Sequence, residues 1–102
     1  MESIGELIRK LRVQKGETLR TVATHLGVDV AVLSKIERGQ RWANRQQVLK
    51  LARYFEADRD EMLVAYLSDR ILYEIDGEGL ATEALKVAEE KFKYSVKVKN
   101  AG

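Results

Sequence analysis

Three glycines, Gly16, Gly27 and Gly39, each follow a short run of apolar residues at helical spacing, and no proline occurs anywhere in the 102 residues. That punctuation confines the front of the chain to short helices. Ile4, Leu7, Ile8 and Leu11 share one helix face behind Ser3 and Glu6, a capping-box pair, which predicts a helix over about 4–14. Thr18 can cap a second segment with Leu19, Val22, Ala23 and Leu26 on one face, stopped by Gly27. Asp29 can cap a third, carrying Val32, Leu33 and Ile36 and ended by Gly39. Helices of two or three turns are marginal alone in water, so these must bury their apolar faces against one another. The expectation is an all-α domain.

Beyond a polar loop from Gln40 to Asn44, Val48, Leu49, Leu51, Ala52 and Phe55 mark a fourth helix. Asp58 and Glu61 form a second capping-box pattern before a fifth, with Met62, Leu63, Tyr66, Leu67, Ile71 and Ile75 as its stripe. Asp76, Gly77 and Gly79 make a turn, and Leu80, Ala84, Leu85, Val87 and Ala88 define a last helix. From Phe92 the period changes. Phe92, Tyr94, Val96 and Val98 alternate with Lys93, Ser95, Lys97 and Lys99, which predicts a short terminal strand that needs a partner or remains a loose tail.

Charge divides the chain more sharply than its net +2 suggests. Residues 1–60 carry +4, residues 61–90 carry −6, and the last twelve carry +4. The front suits a polyanion and the acidic middle would be repelled by one, so the parts meet different partners. The chain has no cysteine, which removes disulfides and thiol chemistry. No apolar run reaches the roughly 20 residues of a membrane span, and the start lacks a signal-peptide layout. A cytoplasmic protein away from membranes is expected.

Two short helices joined by a tight turn at Gly27, with others packed around them, form the layout of a helix-turn-helix DNA reader. The stretch TLRTVATHLGVDVAVLSKIERG, Thr18 to Gly39, resembles the helix-turn-helix of the Cro/C1 repressor (XRE-type) family. The likeness extends over Ile4 to Phe55 through Leu11-Arg12, Gly16, Ala23, Leu26-Gly27, Leu33, Ile36-Glu37, Gly39 and Leu51-Ala52. It implies a five-helix, lambda-repressor-like domain over 1–67, with 68–102 as a C-terminal extension for dimerisation or interaction. It also implies an ion pair between Arg12 and Glu37.

By the same resemblance, Asp29, Val30, Ala31, Ser34 and Lys35 approach the major groove. Lys35 can donate to guanine, Ser34 can serve base or phosphate, and Val30 or Ala31 can touch a thymine methyl. Family members often carry polar residues where Leu19, Val30 and Ala31 stand, so apolar contacts and DNA shape carry more of the readout here. Thr18, Arg38, Arg41, Asn44 and Arg45 occupy the positions that grip phosphates. Trp42 lies inside this basic loop, either stacking on a sugar or an arginine or covering the fourth helix.

Catalysis finds no support. The sole histidine, His25, stands on the outer side of the second helix without a companion at metal-ligand spacing, and no phosphate loop, HExxH or GxSxG occurs. Asp76-Gly77-Glu78-Gly79 lacks the twelve-residue calcium pattern and reads as a turn. No cofactor is expected.

The apolar stripe of Tyr66, Leu67, Ile71, Ile75, Leu80, Ala84 and Ala88 needs cover, either by folding back on the same chain or by a two-fold mate. The mate would set two recognition helices one DNA turn apart on a palindromic site. The expected function is that of a sequence-specific, duplex-DNA-binding transcriptional regulator, a homodimeric repressor on a palindromic operator, akin to compact controllers of restriction-modification systems. The alternative is an antitoxin-like or adaptor protein whose residues 68–102 bind another protein.

Overall fold

The computed structural model describes residues 2–101, with side chains through Lys99. Six helices follow in order: α1 Ile4–Gln14, α2 Leu19–Leu26, α3 Val30–Glu37, α4 Arg45–Tyr54, α5 Arg59–Ile75 and α6 Ala81–Ala101. No described residue lies in a strand. The chain divides into two units, the first ending at Ile71 and the second beginning at Leu72, so α5 runs through the division. The expected boundary at 67/68 falls one helical turn earlier.

Local chemistry sets the helix starts. The Ser3 hydroxyl accepts the Glu6 N–H at 3.1 Å, Thr18 accepts that of Thr21 at 3.1 Å, and Asp58 accepts that of Glu61 at 3.0 Å. Each satisfies one of the donors that a helix N-terminus leaves without an intrahelical partner. Asn44 and Gln47 form a reciprocal capping box on α4, at 2.9 and 2.8 Å. Asp29 occupies the N-cap position of α3 but makes no side-chain cap bond. At α4 the stop is Glu56, which takes a left-handed φ of 52° without being glycine.

The first unit's core joins all five helices. Ile8 of α1, Val22 of α2, Leu33 of α3, and Val48 and Leu51 of α4 have no exposure, and Phe55 and Met62 are nearly as enclosed. Truncating one such residue to alanine typically costs ~2–5 kcal/mol, because a cavity is added to the lost transfer energy. Tyr66 belongs to this core at 5% exposure, with its hydroxyl 2.9 Å from the donating Arg70 Nη1. It is therefore a core residue and not part of an exposed interface.

The terminal strand expected over 92–99 is helix. An isolated strand would leave its backbone groups without a ladder, whereas α6 satisfies them internally. Glu89 and Lys93 pair at 2.8 Å one turn apart, across the point where the sequence changes period, and lysines near a helix C-terminus suit its dipole.

Candidate nucleic-acid interface

The interface begins with the turn between α2 and α3. Gly27 takes φ 75°, a left-handed conformation that a side chain would strain, and Val28 N–H returns to the Ala23 carbonyl at 3.0 Å. Ala23, small and buried, lies on the helix that meets α3. Leu33 and Ile36 point into the core and fix the rotation of α3 about its axis. Val30, Ala31 and Lys35 are exposed on the opposite side, Asp29 is exposed at the start, and Ser34 is half-buried.

The far end of α3 is held by α1. Arg12 Nε and Nη2 donate to the two Glu37 carboxylate oxygens at 2.7 and 3.0 Å, and Nη1 donates to the Glu17 carbonyl at 3.0 Å. The hydrogen bond to Glu37 raises the guanidinium above its ordinary pKa, against the opposing effect of burial. The Arg12–Glu37 pairing implied by the family likeness is thus present. Its electrostatic consequence concerns the following loop. Between Lys35 and Arg45 the sole acid is Glu37, and it is buried and paired. Lys35, Arg38, Arg41 and Arg45 remain exposed, so this surface presents cations with no exposed acid among residues 35–45.

Two of the expected phosphate-gripping residues already have structural duties. The Thr18 hydroxyl caps α2, and the Asn44 carbonyl oxygen caps α4, which leaves the Asn44 amide group to donate. In the loop before Asn44, Ala43 is buried, while Trp42 is 47% exposed. A groove of about 1050 Å³ opens beside the end of α3, lined among others by Arg9, Leu19, Ser34 and Arg38. His25 is exposed, yet its ring lies 4.2 Å from that of Tyr54. Burial and the Glu17 carboxylate push the Tyr54 phenol up.

Three residues without an assigned role in the sequence reading gain one. A Cβ on Gly5 would overlap the Ile36 carbonyl oxygen and sit 3.0 Å from that of Glu37, so glycine allows α1 to press directly on the end of α3. Asp69 Oδ2 accepts the Ile4 N–H at 2.8 Å and ties α5 to the start of α1. Arg9 lines the same groove as Arg38, together with the acids Glu2 and Glu6. Small size at position 5 and acidity at position 69 were the available signals, but neither identifies a partner.

A family model described as "Helix-turn-helix domain" matches residues 3–64. The chain belongs to the helix-turn-helix family, in its Cro/C1 repressor branch. A curated relative, the HTH-type transcriptional repressor RghR of Bacillus subtilis (strain 168), is 40% identical over 50 residues. Those residues are 49% of this chain and 37% of RghR, so the chain spans little more than a third of that relative's length. The restriction-modification controller protein C.AhdI of Aeromonas hydrophila is 34% identical with a TM-score of 0.53, over 58% of this chain and 89% of C.AhdI. The clp gene regulator ClgR of Corynebacterium glutamicum shares the fold, with a TM-score of 0.56 at 22% identity, over 94% of this chain and 88% of ClgR. Among the described residues, no helix is long and apolar enough to cross a membrane.

Proposed function

We propose that this protein is a sequence-specific, duplex-DNA-binding transcriptional regulator that acts as a homodimeric repressor on a palindromic operator. The observation that carries the reading is the pairing of an outward face on α3 with a cationic loop whose one acid is buried against Arg12. Phosphates approaching that loop gain attraction from Lys35, Arg38, Arg41 and Arg45 without an opposing carboxylate from the same segment. Lys35 reads guanine, Asp29 accepts from cytosine N4, and Val30 and Ala31 lie against thymine methyls. Ser34 serves base or phosphate, and Thr18 and Asn44 support the backbone grip.

Dimerisation is supported by exposed apolar side chains on each unit. Leu67 and Ile71 are exposed on the first, and on the second no described residue is buried and Leu80, Ala84 and Ala88 are exposed. Ile75 is half-buried. Such a surface, left to water, forfeits the burial that would stabilise it. A two-fold mate covers it and spaces the recognition helices by roughly 34 Å. The likeness to C.AhdI favours a controller of a restriction-modification system. Sedimentation of the protein with a selected duplex tests the reading: two chains per site are expected, and one chain bound with equal strength would remove the dimer from it.

A further inference from the structure

The helical course of residues 92–99 creates an α6 of 21 residues whose two halves carry opposite charge. From Ala81 to Glu90 the helix has three glutamates and one lysine; from Lys91 onward it has four lysines and no acid. The helix dipole favours such a polarity only within the first and last turns, and it gives no account of Glu89, Glu90, Lys91 and Lys93 at mid-helix. One intrahelical pair, Glu89 with Lys93, lies at the junction and is well exposed on both sides. The same helix displays an apolar stripe that includes Leu80 before its first turn, then Val87, Tyr94 and Val98, all exposed, with a shallow depression along Leu80, Ala84, Val87 and Ala88.

We infer that α6 pairs with α6 of a second copy in antiparallel orientation, laying the acidic half of each on the basic half of the other. A parallel pair would set glutamates on glutamates and lysines on lysines. An antiparallel pair brings opposite charges together at both ends and covers the stripe along its length, in the manner of charge-selected helix pairing. The occupant is therefore a second copy of this chain, whose own charge pattern complements the first. This inference rests on the homodimer proposed above and adds its orientation and the use of the C-terminal half of α6.

The chain has no native cysteine, so single labels can be placed cleanly. Thr82→Cys and Lys97→Cys lie fifteen residues apart on the polar face, roughly 22 Å along the helix axis. Donor-labelled Thr82→Cys mixed with acceptor-labelled Lys97→Cys should give stronger energy transfer than either same-site mixture, in full-length protein shown by sedimentation to be dimeric. Stronger transfer in the same-site mixtures overturns the antiparallel pairing but leaves the homodimer standing, as does an absence of transfer in every mixture of a confirmed dimer. A monomer at all concentrations overturns both. A second variant, Glu83→Lys/Glu89→Lys/Glu90→Lys, should dimerise roughly tenfold more weakly or worse at low salt, with the deficit shrinking as salt rises. Unchanged dimerisation would exclude charge as the selector.

Discussion

Replacing Arg12 by alanine removes the two hydrogen bonds to Glu37 and the one to the Glu17 carbonyl in a single step. The Glu37 side chain is 4% exposed and that of Arg12 14%, so the orphaned carboxylate cannot recover its solvation without moving α3. Breaking a buried pair from one side costs ~3–5 kcal/mol. A domain of this size has a total stability of about 5–15 kcal/mol, so about a fifth or more of it is at stake. At about 4–8 °C per kcal/mol, Tm should fall by at least ~12 °C. Urea unfolding followed by circular dichroism measures the change directly. The double variant Arg12→Met/Glu37→Met, which removes both charges and keeps apolar bulk, should recover much of the loss. A loss under about 1 kcal/mol for Arg12→Ala, set against the magnitude expected for a buried pair, would refute the view that α1 clamps the recognition helix through this pair.

Arg41→Ala and Arg45→Ala should each weaken specific and unrelated DNA alike and lower the salt slope by about 1; anisotropy titrations across salt would drop either residue from the phosphate contacts if its slope stays unchanged. Lys35→Ala should alter the preference at particular base pairs, and a selection that returns the wild-type consensus would end its base-reading role. Gly5→Ala should cost ~1–3 kcal/mol through overpacking against the end of α3, and should reduce specific binding more than unrelated binding in the folded protein. Equal loss on both DNAs would mean that Gly5 affects only the amount of folded protein.

The parts of the fold that were legible in the sequence are those with short-range signals. Gly27 and the Leu33/Ile36 anchors declared the turn and the buried side of α3, because a left-handed turn and a 3.6-residue period are local requirements. The Arg12–Glu37 pair became visible only through the family likeness, since nothing in either neighbourhood names the other residue. Gly5 and Asp69 were opaque for the same reason; Asp69 binds the backbone of Ile4 from 65 residues away. Tyr66 was misplaced because α5 carries one unbroken stripe that serves the core up to Tyr66 and is no longer buried from Leu67 onward. The 92–99 segment satisfied a strand period by alternating lysine with apolar residues. What decides it is the absence of a ladder and the continuity with α6, neither of which is a matter of period.

If α3 and its cationic loop read a two-fold DNA site, that symmetry must show in the DNA the protein selects. Selection from fragmented genomic DNA, followed by footprinting on the enriched fragment, tests it in one measurement. Protection of two inverted half-sites with centres roughly 10–10.5 base pairs, or a multiple, apart is expected. Enrichment no better than that of unrelated DNA, or a footprint without two-fold symmetry, would contradict it.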